Sequence, residues 1–487
     1  MNDRNRLPKV AIASSGLGYV ARGIETWAID TAAALAEYGI DVTLFAAEGF
    51  QLSAFSFQLC ILPCLHRFDR GTQRLTRLTP GFMWRWGLKQ AYGWEELTFW
   101  LRLWPRLRKG GFDILHVQDA WLAFWCRKFR HLGLVRTKEI LGHGTEEAAE
   151  WLAQFEYVQH LAPWHFEQAL RAIGGESPSP QSSPPRGEEG GMPSPLGREG
   201  QGEGGNAAGV TEHRTSNFDV GRSMLEVQTC DEAASHPTAG HAQHEEHPHW
   251  SAIPNFVDTD LFHPLPESTN RRIDESSKLR KQFGIAPDAF VIGTAATVKR
   301  PHKRIDYLIR EFAAITNLRV IESSNRRIHL AVAGARTPET DALVAMANEL
   351  APGRVTFCLD LRRDQMPDFY RALDVFVLVS LFEMMPIAVL EALASGVPVI
   401  ANAIPQLQWM VGDEGREGFV TGSRAQGGSC IDLSREGALA AFVAEMTPEW
   451  IEQKGRGARK RVLEMFATDV VIGRYVEYYR RVVEADE

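Results

Sequence analysis

The chain has 487 residues, 44% of them hydrophobic and 23% charged, with a net charge of −8. That length suits roughly two or three soluble domains, and the acidic balance argues against a general nucleic-acid binder. The six cysteines are scattered with no C-x-x-C pair, which gives no zinc pattern and fits a reducing compartment. The start "MNDRNRLPKVAIAS" is too polar for a signal peptide, and no run reaches the roughly 18 apolar residues a spanning helix needs, so the expected compartment is the cytoplasm.

The predicted elements begin with a strand at "KVAIAS", a glycine-containing loop "SSGLGYVARGIE", a helix around "ETWAIDTAAALAEYG" and a strand at "DVTLFAA". This is a βαβ unit, and Gly16, Gly18 and Gly23 let the loop backbone approach a ligand closely. The spacing is not G-x-G-x-x-G, which weakens a dinucleotide reading. "FDILHVQ" and "EILGHG" read as later strands of the same parallel sheet. They place His116 within one strand and His143 at the end of the next, where an imidazole serves either as a structural hydrogen-bonding group or as a site residue.

Residues 1–173 form the predicted first domain. Residues 174–249 are dominated by Pro, Gly, Ser and Glu, as in "SPSPQSSPPRGEEGGMPSPLGREGQGEGG", and read as a disordered insertion, because such a segment buries too little apolar surface to offset its ordering entropy. His236, His241, His244, His247 and His249 read as a solvated polar tail without metal geometry. From residue 250 the style of the first section returns: "AFVIGTAA", "IHLAVAG", "RVTFC", "DVFVLVS" and "VPVIAN" are strands separated by helical text. The expected fold class is α/β, with two doubly wound Rossmann-like domains facing across a cleft.

The stretch "SLFEMMPIAVLEALASGVPVI" sets Glu383 and Glu391 eight residues apart in apolar text. Strand, helix and strand surround them. Glu383 then lies in the loop beyond the carboxyl end of a strand, and Glu391 lies about one and a half turns into the helix. The helix start near Met385 and Pro386 offers free N–H groups and a positive dipole end, which suits phosphate. A buried carboxylate needs a partner, and a ligand rich in hydroxyls is one candidate.

These residues resemble the Glu-x7-Glu signature of the family-four glycosyltransferases, which have the two-domain GT-B fold. "IPNFVDTDLFHP" is similar to the family's interdomain segment, and "PHKRIDYLIREFA" to the loop and helix after the first strand of its second domain. "RGIETWAIDTAAALAEYGIDVTLF" fits its first helix, and "RYVEYYRRVV" its closing helix. The resemblance implies a second, donor-binding domain over 250–470 and a helix over 471–487 that crosses back to an acceptor domain. It implies that Glu383 contacts the transferred sugar, Glu391 the ribose, and Lys303 the diphosphate, with either Lys299 or Arg300 as the second cation. His143 matches a family histidine near the reacting sugar, and the Gly16 and Gly18 loop lies near the donor phosphates and the acceptor. The chain departs from the family pattern at Met384, at Arg22-Gly23, at Asn255-Phe256 and in "AIPQLQWM". The aspartates of "DTD" at 258–260 sit inside the interdomain segment and do not read as metal ligands.

The activity implied is transfer of a sugar, with retained configuration, from a nucleoside diphosphate sugar to a hydroxyl, with no metal and no other cofactor. Charge stabilisation then comes from the helix dipole and basic side chains. Between residues 67 and 109, ten basic residues face three acids, and Trp84, Trp86, Trp94, Trp100 and Trp104 are interleaved. This mixture fits an element that contacts an anionic membrane, and with it a lipid-linked or glycan acceptor at the inner face of the cell membrane. It equally fits tryptophans packed on the first sheet with arginines in water. A nucleotide-sugar epimerase, a sugar phosphorylase or a non-catalytic nucleotide-sugar binder are the alternatives on the same fold.

Overall fold

The strands read from the sequence all form, and among the described residues every strand pairs in parallel. The computed structural model describes residues 6–20, 23–49, 56–145, 147–174, 249–265, 269–317, 327–413 and 425–485. The first sheet contains β1 (Val10–Ser14), β2 (Val42–Ala46), β3 (Gln58–Ile61), β4 (Ile114–Val117), β5 (Lys138–His143), β6 (Val158–His160) and β7 (Ser251–Ala252). Its order is β3-β2-β1-β4-β5-β6-β7. The second contains β8 (Phe290–Ala295), β9 (Ile328–Gly334), β10 (Val355–Leu359), β11 (Val375–Leu378), β12 (Val399–Asn402) and β13 (Gly428–Ile431), in the order β10-β9-β8-β11-β12-β13. In each sheet the order reverses once, between β1 and β4 and between β8 and β11, and such switch points are where open α/β sheets bind ligands.

Four apolar clusters fill the faces of the two sheets. In the first domain, α1 (Gly23–Glu37) covers one face, while α3 (Ala91–Gly110) and α4 (Ala120–His131) cover the other. The C-terminal helix, Thr468–Glu484, joins the α1 cluster through Val471, Tyr475, Tyr478 and Tyr479, so the chain does cross back to its first domain. At roughly 2–3 kcal/mol for each fully buried large side chain, these tyrosines hold the helix firmly. They are also polar anchors, since Tyr478 Oη donates to His249 O at 2.7 Å.

Two boundaries differ from expectation. β7 completes the first sheet, so the interdomain crossing comes after Ala252 and not at residue 250. The last helix starts at Thr468, three residues before the expected position. Residues 175–248 of the low-complexity insertion, with His236, His241, His244 and His247, lie outside the described residues, as does Arg22, whereas His249 is no part of a solvated tail: its ring packs 5.4 Å from that of Tyr157.

Candidate functional site

The second switch point is built from the loop after β8 and the loop after β11. Lys303 and Glu383 come from these two loops and form a direct ion pair between Nζ and Oε1. The first loop holds an unusual backbone. His302 and Arg304 both have positive φ, 66° and 49°, which costs a non-glycine residue about 1 kcal/mol or more. Arg304 shows what holds this shape. Its guanidinium donates to Val379 O at 3.2 Å and to Leu433 O at 2.7 Å, and it lies 3.9 Å from the Tyr307 ring centre. Arg304 thus staples the β8 loop to the ends of β11 and β13, and Lys303 is delivered to Glu383. The Glu383 carbonyl is in turn held by the Gln406 side-chain amide.

Of the two upstream cations, Lys299 is close enough to His302, which adjoins Lys303, for its charge to add to burial and to Lys303 in lowering the His302 pKa. Arg300 is engaged elsewhere. Its backbone N–H donates to Glu339 at 3.1 Å, and its guanidinium stands 3.8 Å from the same carboxylate.

The helix Ile387–Ala394 begins with Pro386 as its N-cap and carries Glu391 in its second turn. Gly396 closes it in the left-handed region at φ 72°. Glu391 is only 7% exposed. Tyr370 Oη donates to its Oε2 at 2.7 Å. Burial pushes the Glu391 pKa up to about 7, against the opposing charge of Arg363 and the Tyr370 hydrogen bond. Arg363 pairs across the domain boundary with Asp30 of α1 at 2.6 Å. Burial likewise raises Asp30, to about 6. Glu391 and Tyr370, both buried, and the partly buried Arg363 and Asp30 therefore form one polar group where the domains meet. Ile387, at the start of the same helix, packs on the first domain's core.

Met385 does not present its side chain to the crevice. It is buried, its Sδ and O accept from Asn255 N (3.2 Å) and Nδ2 (3.0 Å), and its place is to tie the interdomain segment to the helix start. The N–H groups at that start belong to Ile387 and Ala388. Asp258 accepts from the N–H groups of Asp260 and Leu261, both at 2.9 Å, and shapes its own loop. No three His, Cys, Asp or Glu among the described residues are grouped to hold a metal.

At the first switch point, the Gly16 carbonyl accepts from Val20 N at 2.9 Å. Gly18 has φ 108°, and a Cβ there would stand 2.5 Å from Glu48 O, so glycine is required. The loop is tied down by a network that sequence reasoning missed. Ser15 N donates to Asp119 Oδ2 at 2.9 Å, and Ser15 Oγ to the buried Glu95 at 2.8 Å. Tyr19 and Arg67 also donate to Glu95, and Tyr92 to Asp119. His143 ends β5 and is buried, and burial lowers its pKa to about 3. His116 is structural: its Nδ1 lies 2.7 Å from Tyr479 Oη, under the C-terminal helix.

Residues 21–172 match the family model described as Glycosyltransferase Family 4, and residues 289–428 match that described as Glycosyl transferases group 1. The chain belongs to the family-four glycosyltransferases. Among curated relatives of this family, the D-inositol 3-phosphate glycosyltransferase of Mycolicibacterium smegmatis is 30% identical over 158 residues, 32% of this chain and 33% of the relative. The mannosylfructose-phosphate synthase of Agrobacterium fabrum is 29% identical over 163 residues, 32% of each. The chain thus spans about a third of the length of these two relatives. Solved structures share the whole fold. Sucrose-phosphate synthase of Thermosynechococcus elongatus superposes with a TM-score of 0.61 at 16% identity, over 98% of this chain and 100% of that one. HepE of Anabaena, solved with UDP and glucose, gives 0.59 at 14% identity, over 96% and 98%. The fold is GT-B.

Proposed function

We propose that this family-four glycosyltransferase moves a sugar from a nucleoside diphosphate sugar to a hydroxyl acceptor at the crevice of Lys303, Glu383 and Glu391. The observation that carries this reading is the Lys303–Glu383 pair at the second switch point, with a carboxyl of raised pKa one helix away. In this reading Glu383 accepts hydrogen bonds from sugar hydroxyls, Glu391 from the ribose, and Lys303 turns from Glu383 toward the diphosphate. Lys299 is the nearby second cation. The Ile387 and Ala388 N–H groups add the dipole end of the helix.

The bond from the anomeric carbon to phosphate oxygen breaks through an oxocarbenium-like state. The acceptor oxygen forms its bond on the same face, so configuration is retained, and the acceptor proton passes to the leaving phosphate. Basic side chains and backbone dipoles supply the charge stabilisation without a metal.

The acceptor in this reading is a glycan or lipid-linked hydroxyl presented at the inner face of the cell membrane. Support comes from the first domain's surface. Helix α2 (Arg70–Leu78) and the turn Gly81–Trp86 expose Arg70, Arg74, Arg77 and Arg85 beside Phe68, Leu78 (82% exposed), Phe82 and Trp86. Cationic and apolar side chains on one surface suit an anionic interface. Trp100 and Trp104 do not take part, since both pack on Phe129 in the domain interior. No helix among the described residues is long and apolar enough to cross a membrane.

The test is a panel of nucleoside diphosphate sugars in thermal shift and turnover assays. At least one donor should raise the melting temperature and be consumed when a hydroxyl acceptor is supplied. Stabilisation by a donor that is never consumed would favour a binding protein.

A further inference from the structure

His143 has a close neighbour. The carboxyl ends of β5 and β6 set its Nδ1 3.0 Å from Nδ1 of His160, with the rings edge to face. His165, from the helix Pro163–Ile173, packs against His143 from another side. All three are buried, and burial holds all three neutral at pH 7. Two neutral imidazoles joined through their Nδ1 atoms share one proton, so one ring donates and the other accepts. The choice fixes the opposite nitrogen of each ring.

Two observations make the same choice. His143 Nε2 stands 3.9 Å from Oε2 of the buried Glu147, whose other oxygen accepts from Thr145 Oγ1. A carboxylate beside Nε2 favours an N–H there over a lone pair. His160 Nε2 is buried without a hydrogen-bond partner among the described residues. An orphaned buried N–H is rarer than an under-satisfied acceptor, so this nitrogen carries the lone pair. Both place one proton on His143 Nε2 and the other on His160 Nδ1.

We infer that His160 is a positioning residue, which donates from Nδ1 to His143 and thereby fixes His143 as the Nε2–H tautomer. Resting on the proposed function, this makes His143 a hydrogen-bond donor to a hydroxyl of the transferred sugar. It does not act as the base for the acceptor proton, which passes to the leaving phosphate. His160 was not singled out from the sequence, because nothing in "YVQHLAPWH" marks a residue that works through a partner seventeen positions away.

The test is two-bond proton–nitrogen NMR on the full chain with ring-labelled histidines, without nucleotide. Signals are assigned through His143→Gln and His160→Asn. The expected spectrum shows His143 protonated at Nε2 and His160 at Nδ1. His143 protonated at Nδ1 in the wild type overturns the inference, whatever the kinetics. In His160→Asn the side-chain amide replaces the donor, so the His143 tautomer and kcat are retained. In His160→Leu the donor is gone. His143 should then populate the Nδ1–H form, and kcat should fall about tenfold, the loss of roughly one hydrogen bond, with nucleoside diphosphate affinity unchanged. If the tautomer changes in His160→Leu and kcat does not, the lock on His143 is upheld, and the placement of His143 at the sugar is overturned.

Discussion

Donor binding by Glu391 should depend on pH, and the structure gives the sign and the size. Burial raises its pKa to about 7, while the Arg363 charge and the Tyr370 hydrogen bond pull the other way. Ribose hydroxyls donate, so the ionised form binds and the protonated form must first lose its proton. One unit below the pKa, protonated carboxyl outnumbers carboxylate by about ten to one. Donor affinity at pH 6 should therefore be about tenfold weaker than its plateau above pH 8, a difference of about 1.4 kcal/mol. The same shift acts on folding. The folded state holds this proton more tightly than the unfolded chain, so stability from this group falls as pH rises from about 4.5 to 7. The assay is titration calorimetry with a nucleoside diphosphate sugar at pH 6 and 8, in two buffers of different ionisation heat. The wild type should release close to one proton at pH 6. Glu391→Gln should bind more weakly with no slope. Affinity that is flat in the wild type, or an equal slope in the variant, would refute the reasoning.

Three other outcomes are expected. Arg363→Met leaves the partly buried Asp30 without its 2.6 Å partner and should cost about 1–2 kcal/mol by denaturant unfolding, less than a fully buried pair because water screens it in part, with some recovered in the double variant with Asp30→Asn; an unchanged midpoint would contradict the pair. The histidines act opposite to Glu391. His143 and His165 have pKa values lowered to about 3 and 4, so below about pH 6.5 the unfolded chain takes up protons that the folded chain refuses. Their contribution should fall by up to about 1.4 kcal/mol per unit for each between pH 6.5 and 4, against the opposite trend of Glu391 and Asp30, so the check is denaturant unfolding of His165→Phe beside the wild type at pH 6.5 and 5; equal pH slopes in the two would argue against the burial of His165. Anionic vesicles should bind the protein at low salt and release it at high salt, and replacing Arg70, Arg74, Arg77 and Arg85 with Glu should abolish binding; indifference of the wild type at low salt would remove the membrane reading.

Much of this architecture was legible because buried parallel strands are written as continuous β-branched runs, such as "DVFVLVS", and each is followed by a loop at the binding end. Glu383, Glu391 and Lys303 were singled out because one motif and one loop carry them, and the fold pairs Lys303 with Glu383 and buries Glu391 in the helix that follows. What was not legible depends on long-range pairing. β3, β6 and β7 are short strands at or near a sheet edge, too brief to show a period. Asp30 and Arg363 are polar residues of unremarkable context until folding brings α1 against the second domain. Glu95 and Arg67 looked like charges of a basic, tryptophan-rich surface, yet Glu95 is fully buried and anchors the first loop. The tryptophans split by element, Trp86 exposed on the turn Gly81–Trp86 and Trp100 buried in α3, which composition cannot show. Met385 sits beside the right helix start but points inward, because Asn255 claims both its sulfur and its carbonyl.

The division of labour between the two glutamates is tested most directly by calorimetry of the bare nucleoside diphosphate alongside steady-state kinetics for Glu383→Gln and Glu391→Gln. Glu391→Gln should weaken diphosphate binding and raise donor KM more than it lowers kcat. Glu383→Gln should leave diphosphate binding nearly intact and lower kcat, because its interaction strengthens as positive charge develops on the sugar. Each loss should be about 1.5–3 kcal/mol, the range for a charged hydrogen bond. Equal loss of diphosphate binding in both variants would contradict the assigned roles, and full activity in both would contradict the crevice itself.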